Sequence, residues 1–250
     1  MTYRRFAYIY DELMKDVPYD QWVKLVQQVT QRYDIPGRDL LDVGCGSGEL
    51  AIRLVKEGWN VTGVDLSEDM LIVAQEKAAK FGITLPLFQQ DMRELDGLGT
   101  YDVITIFCDS INYLATEQDV QQTFQHVYRH LKLNGWFIFD VHSIYKIMQI
   151  FMNESFTWNG DKISYIWNCF PGEAPNSVEH ELTFFVLDEA TGLYERFDEV
   201  HVQRTFSTLT YEKWLEHAGF HIEAIVADES FEPVSDTTER VFFICQKKER

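Results

Sequence analysis

Asp39-Leu40-Leu41-Asp42-Val43-Gly44-Cys45-Gly46-Ser47-Gly48-Glu49-Leu50-Ala51 runs from a short apolar stretch into alternating glycines, after which helical spacing resumes through Leu50, Leu54 and Val55. The pattern reads as strand, tight loop and helix. Glycine permits positive φ and lets the backbone approach a ligand closely, while the unpaired N–H groups of a helix start face such a loop. Ligands of open parallel sheets bind just past the strand C-termini, which makes this loop the first candidate site.

Working outward, residues 59–65 form a second apolar run, followed by Ser67 as an N-cap with Glu68 and Asp69 in the first helical turn. Leu71, Ala74, Ala78 and Phe81 give that helix an apolar face, and Gly82 suits its end. Further strands are expected at 85–89, 101–107 and 136–141, with a helical stripe through Val120, Phe124, Val127 and Leu131 and a turn at Asn134-Gly135. An earlier helix is expected over 20–33. Repeated β-α units of this kind specify an α/β fold with a Rossmann-like parallel sheet.

The rhythm changes after residue 150, where 155–207 is strand-like throughout and 188–192 sits between two alternating runs as a hairpin turn. Helical spacing returns at 210–219, and strands at 220–226 and 241–246 close the sheet. We expect one domain made of 1–150 and 208–250, carrying an inserted antiparallel β subdomain at 151–207.

Composition narrows the function. The formal net charge of -18 would repel a phosphate backbone, and the short basic clusters at the two ends do not form a patch, so bulk nucleic acid is disfavoured. Cys45, Cys108, Cys169 and Cys245 contain no Cys-x-x-Cys pair, which argues against a zinc site or a disulfide framework. With no apolar h-region and no membrane-length stretch, a cytoplasmic protein is expected, as monomer or homodimer, with no metal and no membrane partner.

Glycine spacing alone fits two cofactors, because Gly46-Ser47-Gly48-Glu49-Leu50-Ala51 also satisfies the G-x-G-x-x-A dinucleotide form. Asp65, at the end of the second strand, suits a ribose-hydroxyl acceptor in either case. Asp42 separates them, since its charge would oppose a pyrophosphate but pair with the ammonium of a methionyl group. Asp91 adds an acceptor for an adenine amino group, and Met92 an apolar surface for the ring. No second mononucleotide-binding half is visible, which favours S-adenosylmethionine over NAD. A nucleotide-linked oxidoreductase and a cofactor-binding protein without transferase activity stay open as alternatives.

Through 40–48, Asp65-Leu66-Ser67, Asp91-Met92 and Leu215-x-x-Ala218-Gly219-Phe220, the chain resembles the class I S-adenosylmethionine-dependent methyltransferases. The resemblance covers about 36–146 well and 208–246 loosely. It implies a seven-stranded sheet whose last strand is antiparallel, and a cofactor site that includes Gly44, Cys45, Gly46, Gly48, Leu66 and Phe107, the last against the adenine or the methionine. The segment Phe6-Ala7-Tyr8-Ile9-Tyr10-Asp11-Glu12-Leu13-Met14 resembles uncharacterised bacterial methyltransferases of the YqeM type and is similar to small-molecule N-methyltransferases. By that resemblance Tyr10, with Tyr3 behind it, reaches the cofactor or the methyl group; packing of Tyr3, Phe6, Tyr8 and Tyr10 as an aromatic latch is the alternative.

Methyl transfer from a sulfonium is a direct displacement, so the protein must align the nucleophile and exclude water. A nitrogen nucleophile need only arrive neutral, whereas oxygen usually calls for a base. Asp109, Asn112, Tyr113, Asp140 and His142 lie at strand ends where such a group belongs, and His142 has the most suitable reference pKa. The acceptor is expected to be a small molecule methylated at N or O, with a modified nucleoside or a protein as alternatives. Phe156, Trp158, Tyr165, Trp167, Phe170, Phe184 and Tyr194 in the insertion suit a substrate lid, or else internal packing or a dimer contact.

Overall fold

The two sequence periods become two sheets. A computed structural model describes residues 10, 13, 14, 17–228 and 231–249; Tyr3, Phe6 and Tyr8 fall outside them. The larger sheet carries β1 (Asp39–Val43), β2 (Asn60–Asp65), β3 (Leu87–Gln89), β4 (Tyr101–Ile106) and β5 (Leu131–His142) in parallel. Interleaved with these are α1 (Tyr19–Arg32), α2 (Glu49–Lys56), α3 (Glu68–Lys80) and α4 (Glu117–His130). The smaller sheet is an antiparallel meander of β6 (Ser155–Asn159), β7 (Ile163–Pro171), β8 (Ser177–Asp188) and β9 (Leu193–Arg204), with Asp188 opposite Leu193 at the expected hairpin. Then follow α5 (Thr208–Ala218), β10 (Phe220–Ala227), β11 (Glu232–Pro233) and β12 (Arg240–Lys247).

The large sheet has the order β11-β10-β12-β5-β4-β1-β2-β3. It has eight strands where the resemblance implied seven. The extra strand, β11, is a two-residue edge pairing Glu232 and Pro233 with Ala227 and Val226, too short for any alternation to announce it. A proline is tolerated there because an edge strand leaves one row of N–H positions unused. β12 runs antiparallel between β5 and β10, as expected of the last strand. The strand order reverses beside β1 and β4, which opens a crevice above their C-terminal ends.

Alternation along β5 divides the core. Phe137 and Phe139 point to the face covered by α4 and α5, where Phe139 stacks on Phe243 at 4.8 Å between centroids. Trp136 and Ile138 point to the other face, with Trp22, Leu25, Val26 and Leu54 from α1 and α2. Buried strands with helices on both faces explain the continuous apolar runs.

Four local expectations change. Phe81 is exposed, with the Lys56 ammonium 3.6 Å from its ring centroid, so the apolar face of α3 ends at Ala78. Asn134 (φ 64°) is an irregularity inside the continuous strand β5, since hydrogen bonding resumes on both sides of it. Leu131 begins that strand and does not end α4, and β3 starts only at Leu87. The Ser67 cap holds as read, its hydroxyl accepting from Met70 N. Ser67→Ala is expected to cost about 1 kcal/mol in denaturant unfolding, the usual worth of an N-cap. Among the described residues no helix is long and apolar enough to cross a membrane.

Candidate active site

The glycine loop is built by strand pairing and then by one carboxylate. Gly44 N and Cys45 N both donate to Val64 O, at 2.8 and 3.0 Å, which carries the β1–β2 ladder into the loop. At Gly44 (φ +73°) a Cβ would lie 2.8 Å from Ser110 Oγ, and at Gly48 (φ +75°) one would lie 3.0 Å from the Ala74 Cβ. Both backbone angle and space therefore demand glycine. Asp65 Oδ2 accepts from Gly46 N at 2.7 Å and Oδ1 from Ser67 N at 2.9 Å, so this side chain fixes the loop and the start of α3 together. Burial raises the pKa of Asp65 against the lowering pull of these N–H groups.

Above the loop lies a cleft of about 940 Å³. Of the expected cofactor residues, Tyr10, Gly44, Gly46, Asp65, Leu66, Asp91 and Met92 border it; Asp42, Cys45, Gly48 and Phe107 do not. Cys45 fills a tight space against Gly63, Gly48 packs on α3, and Phe107 is sealed between Trp22 and Phe242. Asp91 accepts a fork from Arg93, Nη2 at 2.6 Å and Nε at 3.0 Å, while Arg93 also reaches Asp119 at 3.2 Å. Tyr10 lies in the wall with its hydroxyl 4.0 Å from Cys108 Sγ, and packs with Met70, Val73 and Phe184; burial keeps its phenol protonated.

Asp42 is 2% exposed and takes a hydrogen bond from Thr105 Oγ1 at 2.8 Å. It lies below the cleft floor, paired with Thr105 of β4, and is not among the residues that line the cleft. Burial, outweighing the Thr105 hydroxyl, pushes its pKa up to about 7. A carboxyl raised above its unfolded value of about 3.9 takes up protons on folding, so stability falls as pH climbs through the window between the two. From pH 5 to pH 8 the native protein is expected to lose about 2 to 3 kcal/mol more than Asp42→Asn, read from chemical denaturation at the two pH values.

Beyond β4 the backbone takes two consecutive left-handed residues, Cys108 (φ 59°) and Asp109 (φ 51°). Such angles are costly for residues with side chains and persist where surroundings over-determine them. Here Asp109 N donates to Asp140 Oδ2 at 3.0 Å, and Arg240 from β12 bonds both Asp140 and, at 2.8 Å, Asp109. His142 Nε2 lies 3.3 Å from Asp109 Oδ2, and Gln203 Nε2 donates to the same oxygen at 2.7 Å. For Asp109 burial is outweighed by His142 and Arg240, which hold it well below the usual range; for Asp140 burial wins and raises it to about 6.

His142, expected as a base, is 4% exposed, and its Nδ1 is buried with no hydrogen-bond partner among the described residues. Burial lowers its pKa, so the ring is neutral at pH 7 and its Nε2–H donates to Asp109. Asn112 Oδ1 accepts from His142 N at 2.9 Å, and Tyr113 borders the cleft.

The opposite wall comes from the small sheet, whose alternation directs Tyr165, Trp167, His180, Leu182, Phe184, His201 and Gln203 to the cleft. Sequence reasoning singled out the aromatics but missed His180, His201, Gln203 and Arg240. The available signal was the period-two spacing of His201 and Gln203, which puts them on one face.

Residues 40–135 match the family model described as a methyltransferase domain. Over 248 residues the chain is 46% identical to the Bacillus subtilis (strain 168) protein named "Putative methyltransferase YqeM", covering 99% of this chain and 98% of that one. The crystal structure of an S-adenosylmethionine-dependent methyltransferase from Clostridium acetobutylicum ATCC 824 matches with TM-score 0.89 and 33% identity over 100% of both chains. The chain belongs to the S-adenosylmethionine-dependent methyltransferase family.

The nicotinamide alternative left open by the glycine spacing falls away, and S-adenosylmethionine is the cofactor of this methyltransferase. The sugar N-methyltransferase KedS8 from Streptoalloteichus sp ATCC 53650 has the same fold, with TM-score 0.78 at 22% identity over 97% of this chain and 93% of that one.

Proposed function

We propose that this methyltransferase acts on a small-molecule acceptor at nitrogen or oxygen by direct displacement, and that 151–207 form a substrate lid over a cofactor domain of 1–150 and 208–250. The reading is carried by one observation: a single cleft joins the glycine loop to the aromatic face of the small sheet. A cleft of about 940 Å³ suits a cofactor with a small acceptor better than a macromolecular chain. KedS8, a sugar N-methyltransferase of the same fold, agrees with a small acceptor. The acidic charge is the argument against bulk nucleic acid, and the same reading takes the protein as cytoplasmic.

The residues fit the cofactor. A Cβ at Gly46 would meet nothing within 4 Å, so backbone borders open space at the cleft floor. Asp65 stands at the end of β2 for ribose hydroxyls, and Leu66 and Met92 offer apolar surface to an adenine ring. Asp91 is held by Arg93, which orients the carboxylate for the adenine amino group. Asp42, buried beneath Val43 and Gly44 with its pKa raised to about 7, would be drawn to its charged form by an ammonium bound above it. Tyr10 closes the wall next to the reacting region. Bound adenosylmethionine supplies the sulfonium methyl group.

Two measurements test this. Calorimetry with adenosylmethionine and adenosylhomocysteine should give binding that NAD does not. Incubating the protein with deuteromethyl-labelled adenosylmethionine and the small-molecule fraction of a bacterial extract should yield a labelled low-mass product by mass spectrometry; label recovered only in RNA or protein would overturn the small-molecule reading.

A further inference from the structure

Trp167 on β7 is held in the cleft by a chain of hydrogen bonds whose direction is fixed at every link. Its indole Nε1–H donates to His180 Nδ1 at 3.0 Å, so the proton of the neutral imidazole sits on Nε2. His180 Nε2 lies 3.2 Å from Gln203 Oε1, and Gln203 Nε2 donates to Asp109 Oδ2 at 2.7 Å. Both ends of the Gln203 amide are thereby assigned, and every donor points toward Asp109. Despite its burial, Asp109 is kept ionised by His142 and Arg240. The chain therefore begins at an indole of the small sheet and ends on a fixed negative charge of the large one.

An N–H that donates into such a chain is polarised, which leaves more electron density on its ring. Trp167 is only partly buried where it borders the cleft, with Phe151 and Phe156 packed on it at 5.4 and 5.0 Å between centroids. Tyr165, two residues along the same strand, borders the cleft beside it. Among aromatic side chains the indole attracts cations best. The charge of the cleft agrees: Arg93, Lys146 and Arg240 are each paired with a carboxylate, while Asp65, Glu68 and Asp69 meet no cation among the described residues. A cleft of that sign draws in cations. Proton uptake points the same way. On the side of the small sheet His180 has both nitrogens engaged, His142 gives Nε2 to Asp109 with Nδ1 buried, and His201 is engaged with Tyr113. Asp109, held well below the usual carboxylate range, is a poor base for a hydroxyl. Methylation at oxygen usually needs such a base, and methylation at nitrogen does not.

We propose that the acceptor is an organic amine, received as an ammonium by Trp167 and Tyr165, with Gln203 as the positioning residue that holds Trp167 through His180. The proposal rests on the small-molecule reading above. At the reacting position the ammonium loses its proton to solvent, a loss favoured by the like charge of the sulfonium. The neutral nitrogen then forms its bond to the methyl carbon while the carbon–sulfur bond breaks, its electron pair going to sulfur. The product leaves as a methylated ammonium ion.

Recognition can be read without the natural acceptor. In the ¹⁵N-tryptophan-labelled adenosylhomocysteine complex, with Trp167→Phe to assign its signal, cyclohexylammonium is expected to move the Trp167 indole N–H signal at concentrations where cyclohexanol leaves it in place. A response to cyclohexanol as large as that to the cation would overturn the proposal. Gln203→Leu should shift the same signal with no probe added, because the chain loses its anchor; an unmoved signal would reject the role of Gln203. In turnover with labelled adenosylmethionine and the extract fraction, Trp167→Leu should lower product formation about 5- to 30-fold at limiting acceptor, with adenosylhomocysteine affinity unchanged. A concentrated extract fraction should restore the rate, and an unchanged rate at limiting acceptor would reject Trp167. Capping the amines of the fraction with acetic anhydride should abolish the labelled low-mass product of the native protein. Label on oxygen, or a product that survives acetylation, would reject the amine. With no low-mass product at all the small-molecule reading fails, and the cation titration still decides what Trp167 and Tyr165 receive.

Discussion

Arg240→Met is expected to cost about 3 to 5 kcal/mol of stability near neutral pH, because it leaves the buried carboxylates Asp109 and Asp140 without their shared cation. In the native arrangement other groups share the work, though Asp140 Oδ1 is buried without a hydrogen-bond partner among the described residues. Asp109 has further donors in His142 and Gln203, and Asp140 accepts from the backbone of Asp109. Removing the guanidinium from this set uncovers charge that no water reaches, since Asp140 is fully buried.

The pH dependence gives the claim its sign. Asp109, held below its unfolded pKa in the native protein, stabilises the fold above about pH 4 and loses that contribution as pH falls toward its folded value. In Arg240→Met both carboxyls should titrate upward, reversing the trend, so the deficit should shrink as pH is lowered from 8 to 5. Denaturant unfolding at the two pH values measures it. A deficit independent of pH would mean that the loss is one of packing alone; Arg240 also lies 5.6 Å from the Trp22 ring centroid, which Met would only partly replace.

Asp65→Ala is expected to weaken adenosylmethionine binding by about 100-fold or more and to cost about 2 to 4 kcal/mol, since two charge-assisted hydrogen bonds to backbone are lost at once. The two effects are separable. Calorimetry on protein still folded at low temperature reads affinity, and unfolding reads stability. A variant that loses stability but binds normally would make Asp65 a brace of the loop with no direct part in cofactor recognition.

How much of this was legible in the sequence follows from the range of each interaction. The strand–glycine–helix unit was legible because its signals are local: an apolar run, glycines at positive-φ positions and an amphipathic start. The Ser67 cap and the 188–192 hairpin were legible for the same reason. Phe81 was misread because periodicity marks a helix face but not where the covering neighbour ends. Asp42 was located but not its depth, since its pairing with Thr105 of β4 is a property of strand order. His201, Gln203 and Arg240 meet Tyr113 and Asp109 across sequence separations of 88, 94 and 131 residues, and no local pattern encodes such pairs.

That last separation has a kinetic meaning. β12 enters the large sheet between β5 and β10, and it is the strand that delivers Arg240 to the left-handed turn at Asp109. Strands joined across long chain distances pay their loop-closure entropy late, which places this insertion among the slow steps of folding. Until it occurs, this part of the cleft holds two carboxylates without their shared cation and a left-handed turn that lacks one of its ties. Recovery of catalytic turnover after denaturation should therefore lag behind recovery of helical structure, with the interval reporting the docking of a single strand.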